Sequence, residues 1–221
     1  MEKILAVVLL AMAVARSSDA QNVNWRSLEE GQHNGIQVDI GFDYGATTQV
    51  GYSRHFHWFR PVVVGVEYSF PMGRDLLDDF KVRLGGQVEV LQIDEFSTTV
   101  RIQPVFRRYQ NQLVRILSFG SDVALVTGYY KPSWYGAVEA GFDKSIVSHL
   151  KHSGIMRDNF PMIRDGWYIP SGGHYYYGIQ AGKSLGDAFE LSLRLGMTNA
   201  QHNDEDAIVP YYGQLGFRMK F

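Results

Sequence analysis

The sequence predicts an all-β protein: a single antiparallel up-and-down transmembrane β-barrel of about ten strands, with a polar, charge-paired lumen. Three observations predict it. Apolar and polar residues alternate with a period of two through most of the chain, as in strands that carry one apolar and one polar face. The first 20 residues read as a leader for export from the cytoplasm. Beyond that leader no apolar run approaches the ~20 residues that a membrane-crossing helix needs, so a membrane-spanning form of this chain crosses with strands.

The leader is Met1-Glu2-Lys3, an apolar run from Ile4 to Ala15, then Arg16 to Ala20. Ser18-Asp19-Ala20 supplies the small residues of a cleavage site and places the cut before Gln21. The apolar run is too short to cross ~30 Å of hydrocarbon as a helix, which excludes a membrane anchor. The expected organisation is a signal peptide over 1–20, a periplasmic lead-in over 21–35 and a barrel over 36–221.

The strands follow in order. Ile36, Val38, Ile40, Phe42 and Tyr44 alternate with Gln37, Asp39, Gly41 and Asp43. After a turn at Gly45, Thr48, Val50 and Tyr52 oppose Gln49, Gly51, Ser53 and His55. The third strand sets Val62, Val64, Val66, Tyr68 and Phe70 against Gly65, Glu67 and Ser69. The fourth, Phe80 to Ile93, sets Val82, Leu84, Val88 and Val90 against Lys81, Arg83, Gln87 and Glu89. In the fifth, Val100, Ile102 and Phe106 oppose Arg101, Gln103 and Arg107. The sixth, Gln112 to Tyr130, is the least regular: Arg115 shares the parity of Val123 and Leu125, which predicts a bulge. The seventh sets Trp134, Val138, Ala140 and Phe142 against Glu139, Gly141 and Asp143.

Ser145 to Gly173 is expected to be the longest interruption, opening on a short helix because Ile146, Val147 and Leu150 share a helical face. The eighth strand sets Tyr175, Tyr177, Ile179 and Ala181 against His174, Tyr176, Gly178, Gln180 and Gly182. The ninth sets Phe189, Leu191, Leu193, Leu195 and Met197 against Glu190, Ser192, Arg194 and Gly196. The last has Tyr211, Leu215, Phe217, Met219 and Phe221 on one parity, and Tyr212, Gln214, Arg218 and Lys220 on the other. With both ends periplasmic, the long connections at 71–79, 145–173 and 199–207 fall on the external side. Short periplasmic turns with longer external loops fit an outer-membrane barrel.

Alternation alone does not say which face points inward, but glycine does. Gly41, Gly51, Gly65, Gly141, Gly178, Gly182, Gly196 and Gly216 all lie on the polar parity. Glycine weakens a strand unless another group must approach closely, as inside a crowded lumen. The polar parity also carries Glu67, Glu89, Glu139 and Glu190 together with Lys81, Arg83, Arg101, Arg107, Arg194 and Arg218, a set that can fill the lumen with ion pairs. Glu89 and Arg101 sit on strands joined by a tight turn and are expected to pair.

Composition narrows the chemistry. The formal net charge is -2 with no basic run, so nucleic acid is not an expected partner. With no cysteine there are no disulfides, thiol nucleophiles or thiolate metal sites. Aromatics make up 14% of the chain, enough for two interfacial girdles. Asp43, Asp143 and His174 meet the predicted outer rim on the polar parity, where they could act as general bases on water, as in an omptin-like surface hydrolase. Rim groups bonded to loops and water are the plainer reading, and no catalytic residue is assigned. His149 and His152 have the spacing of one helical face and Asp204-Glu205-Asp206 offers carboxylates for calcium, but solvated loops explain both, so neither metal nor cofactor is expected. Trp167-Tyr168-Ile169-Pro170 is read as packing back over the barrel mouth, with an adhesive patch as the alternative.

The leader, the alternating strands and the terminal Phe217, Met219 and Phe221 together resemble the small outer-membrane barrels of Gram-negative bacteria. In that class an apolar-alternating last strand ending in Phe is the signal read by the barrel-assembly machinery. The Ala20-Gln21 junction and the aromatic-rich Gly173 to Gly182 strand are similar to members from the Bacteroidota. The resemblance spans the whole mature chain, rests on pattern and transfers no site residues. It implies an integral outer-membrane protein, monomeric and in contact with lipid and lipopolysaccharide. Its implied role is structural, surface-interacting or narrowly transporting with a plugged lumen. A small-solute porin is the alternative.

Overall fold

The computed structural model describes residues 24–43, 45–57, 59–73, 77–170, 172–201 and 210–221. The leader with its cleavage site, and the 204–206 carboxylates, lie outside the described residues. In chain order the strands are β1 (Asn34–Phe42), β2 (Ala46–His57), β3 (Pro61–Pro71), β4 (Asp79–Ile93), β5 (Phe96–Gln110), β6 (Val114–Tyr130), β7 (Trp134–His152), β8 (Gly166–Tyr168), β9 (His174–Leu185), β10 (Phe189–Ala200) and β11 (Tyr211–Lys220). Neighbouring strands pair antiparallel, β6 with β7 and β1 with β11, so that all of them but the three-residue β8 form one closed ten-stranded barrel. This is the fold class that the alternation predicts.

Each face follows from parity. Across the β1–β11 seam Ile36 meets Met219, Val38 meets Phe217 and Ile40 meets Leu215 on the outside, while Gln37 meets Arg218 and Asp39 meets Gly216 on the inside. Leu215 is 54% exposed and its neighbour Gln214 only 6%. An apolar outside around a polar inside reverses the soluble arrangement and matches a barrel that presents its strands to lipid. Among the described residues no helix is long and apolar enough to cross a membrane.

The β6–β7 hairpin departs from expectation. The ladder registers Gly120 with Ser145 and Phe119 with Val147, so Ile146 is an extra residue on β7. The predicted bulge thus lies in this ladder but on the partner strand. It inverts the parity of everything after it, and a parity break in the sequence looks like the end of a strand. In the structure β7 runs on to His152, and the hairpin stands as a flange above the rim. Ile146, Val147 and Leu150 are therefore strand residues and not the expected helix. The helix, α1, lies further on at Gly154–Asn159, where Ser153 Oγ accepts from Met156 N at 3.3 Å. His149 and His152, separated by three residues on a strand, point to opposite faces and do not share the helical face that a metal would need.

The segment ahead of β1 packs across one end of the barrel. A 3₁₀ turn at Trp25–Ser27 lies under the barrel, with Asn24 buried and its Nδ2 donating to Lys131 O at 2.7 Å. Ser27 Oγ donates to Glu190 Oε2 at 3.3 Å, and Lys220 Nζ donates to Ser27 O at 2.7 Å.

Candidate functional site

The site is the lumen, whose polar groups lie in three levels. At mid-barrel, β7 brings Glu139 into the centre, where inward parity buries it and four side chains converge on it. Arg194 from β10 grips it bidentately, Nε at 2.5 Å from Oε1 and Nη2 at 3.0 Å from Oε2. Tyr212 Oη donates to Oε1 at 2.7 Å and Gln180 Nε2 donates to Oε2 at 2.7 Å. Arg101 Nη2 stands 3.5 Å from Oε2 and donates to Tyr176 Oη at 2.9 Å, which in turn donates to Asp122 Oδ1 at 2.6 Å. The Arg194 guanidinium sits 4.7 Å from the Tyr212 ring and 5.6 Å from the Tyr176 ring, a cation held over two π faces.

Towards the end from which the β6–β7 hairpin rises, Asp43 Oδ2 lies 3.2 Å from Lys81 Nζ and 2.8 Å from Arg83 Nη2. Arg83 Nη1 also reaches Glu67 Oε2 at 3.5 Å and Gln49 Oε1 at 3.3 Å. Lys81 Nζ stands 3.9 Å from Asp143 Oδ2 on the far wall. Arg107 pairs with Asp79 at 3.3 Å on the half-exposed rim. Towards the opposite end Arg218 Nε donates to Gln37 Oε1 at 3.0 Å, and Arg218 Nη1 stands 3.8 Å from Glu190 Oε1. Glu67 Oε1 meets no protein donor among the described residues. It borders a small cavity lined by Gln37, Asp39, Gln49, Ser53 and Arg218, with room for roughly one water.

These contacts are chords across the barrel. Lys81 to Asp143 joins β4 to β7, Arg101 to Tyr176 joins β5 to β9, and Tyr212 to Glu139 joins β11 to β7, with two strands intervening in each case. A ten-stranded barrel is little wider than the eight-stranded ones that side chains fill, and here the chords occupy its section.

The expected Glu89–Arg101 pair does not form. Arg101 lies opposite Gln87 and Glu89 opposite Thr99, and the extra residue Val90 bends β4 just beyond. Glu89 Oε1 instead accepts from Ser97 Oγ, while Arg101 turns to Glu139 and Tyr176. Two of the hydrolase candidates, Asp143 and His174, face each other across the β7–β9 ladder at the rim, and Asp43 is held between two cations. Among the described residues no three acidic or histidine side chains are placed to hold a metal ion. The Trp167 strand does not fold over the mouth: β8 pairs along β7, Trp167 beside His149, and the ring lies 6.3 Å from Phe119 on the outer face. The reason is the free edge of the β7 extension, which β8 covers.

Parity sets Tyr176 and Tyr212 inward in the sequence but gives them no partners, and sequence reasoning passes over Asp122 as a lumen group. The signal was present in the glycines. A Cβ on Gly141 would lie 2.3 Å from the Tyr176 ring, and one on Gly196 would lie 2.3 Å from that of Tyr212. Inward glycines on neighbouring strands mark where an inward tyrosine lies flat.

No protein-family model matches the chain, and no curated protein matches it. Among solved structures the chain is similar to the KdgM porin in complex with disordered oligogalacturonate, at 8% identity and a TM-score of 0.42, covering 85% of this chain and 99% of that one. A second KdgM porin structure gives 7% identity and the same TM-score and coverage. The beta domain of the Bordetella autotransporter Brka gives 12% identity and a TM-score of 0.37, over 87% of this chain and 100% of that one.

Proposed function

We propose that this chain is an integral outer-membrane β-barrel with a plugged lumen, serving a structural or surface-interaction role and not an open pore. The observation that carries the reading is the Glu139 cluster. Arg101, Arg194, Gln180 and Tyr212 meet one carboxylate from four other strands and fill the mid-barrel section. The apolar outer belt and the export leader support membrane residence, and the leader supports the outer membrane as its location. Entry there is by the barrel-assembly machinery through the last strand, and the chain works as a monomer whose closed ring leaves only the three-residue β8 as a sheet edge.

The test is planar-bilayer recording of the purified chain, with fractionation of cells that express it. The expected outcome is recovery with the outer membrane and no stable stepwise conductance. Stepwise conductance would replace this reading with a small-solute channel, and recovery in the soluble periplasm would end the membrane reading altogether.

A further inference from the structure

Above the aromatic girdle, the outer face of the flange carries charge that the lumen does not use. The girdle on this side is a row of rings: Tyr68 stands 5.4 Å from Phe80, Phe80 stands 5.9 Å from Phe106, Phe106 stands 5.0 Å from Phe119, and Trp167 continues the row. Such rings mark the level where hydrocarbon gives way to headgroups. Outward parity then places Arg108 two residues past Phe106 on β5 and Arg115 four residues before Phe119 on β6, about 7 and 13 Å further along the strands. Lys151 of β7 lies directly opposite Arg115, and His149 lies opposite Leu117 in the row between. Lys144, opposite Ser121, is lower on the same wall.

Like charges placed directly across a ladder are destabilising unless an anion lies between or above them. Among the described residues the acids near this face are few. Asp78 stands 3.8 Å from Arg108 and is itself exposed, while Asp165 is taken up by His152 at 3.0 Å and Arg157 at 3.7 Å. Arg108 Nη2 donates to Gln110 Oε1 at 2.8 Å, yet Nε of both Arg108 and Arg115 meets no protein acceptor among the described residues.

We propose that Arg108, Arg115 and Lys151, standing on the Trp167–Phe119 floor, bind the phosphorylated headgroup of an anionic glycolipid in the outer leaflet. The face is continuous with the lipid-facing belt, so the acyl chains of such a lipid lie against Phe119 and Phe106 while its phosphates meet the cations above. Charge complementarity and the depth of the cations select this occupant, since phosphate binds guanidinium through paired, charge-assisted hydrogen bonds. The inference rests on the membrane placement proposed above.

The test uses the full mature chain in a neutral detergent, with native mass spectrometry against bisphosphorylated lipid A and the same glycolipid stripped of both phosphates. The wild type is expected to retain the phosphorylated lipid about tenfold better, and Arg115→Gln/Lys151→Gln to lose that preference, while Arg115→Lys/Lys151→Arg keeps it. Equal binding of the two lipids by the wild type overturns the proposal, and that arm decides alone if the glutamine variant fails to fold. Full displacement of the lipid by millimolar inorganic phosphate also overturns it, showing a site for free anions. Insertion into phosphatidylcholine vesicles is scored separately. A chain that inserts there but shows no lipid preference sinks this inference and leaves the barrel reading intact; one that fails to insert sinks the barrel reading.

Discussion

Glu139 is 3% exposed, and its two oxygens take contacts from Arg101, Gln180, Arg194 and Tyr212. Removing it leaves the Arg101 and Arg194 guanidinium groups without their shared carboxylate, and breaking a buried pair in this way costs about 3–5 kcal/mol. Glu89 sits near the β4–β5 turn and accepts from the neutral Ser97. Glu139→Ala is therefore expected to lower the thermal unfolding midpoint in detergent clearly more than Glu89→Ala, as followed by circular dichroism. Equal midpoints would mean a hydrated lumen, where such pairs contribute about 0–1 kcal/mol. The inward placement of both carboxylates is legible in strand parity alone. Their partners are not, because a chord such as Arg101 to Glu139 depends on the stagger of strands around the whole ring. The pairing of Glu89 with Arg101 fails for that reason: adjacency through a turn says nothing about where long side chains reach.

At the scale of elements, strands with unbroken alternation, such as β1 and β11, are legible almost to the residue, because a one-residue slip would turn every apolar side chain inward. The β7 extension is not, since Ile146 resets its parity midway and the remainder reads as helix or loop. The last strand is also the seam. Phe221 O accepts from His33 N at 3.1 Å and Asn34 N at 2.8 Å, and Phe221 N donates to Asn34 O at 2.9 Å. Deleting Phe221 removes three backbone bonds at one end of the β1–β11 seam as well as the aromatic that the assembly machinery is expected to read. The expected outcome is a reduced heat-modifiable, folded fraction in the outer membrane. If the defect is only one of closure, refolding of the deleted chain in detergent is slowed as well; normal surface levels with normal refolding would remove Phe221 from both roles.

At the scale of the whole molecule, the plugged-barrel reading proposed above has the barrel shut twice, by independent parts of the chain. The Glu139 cluster closes its middle with side chains from β5, β7, β9, β10 and β11. The segment ahead of β1 packs across one end: Asn24 bonds to Lys131 O in one turn, Gln32 Nε2 donates to Asp187 O at 3.2 Å in another, and Ser27 lies between Glu190 and Lys220. Two closures in series make a distinctive prediction for conductance. Deleting residues 24–32 alone leaves the mid-barrel cluster in place, so planar-bilayer recordings are expected to stay silent. Glu139→Ala/Arg194→Ala alone thins the middle, without an uncompensated Glu139 or Arg194 charge, but leaves the periplasmic segment seated, and silence is again expected. Only the combination should give stepwise current, provided the heat-modifiable gel shift shows that the combined variant remains a closed barrel. Current from the deletion alone would mean that the cluster admits ions and that the segment is the true gate. A folded combined variant that stays silent would place the barrier higher, at Asp43, Lys81, Arg83 and Asp143, where the external chords cross the same lumen.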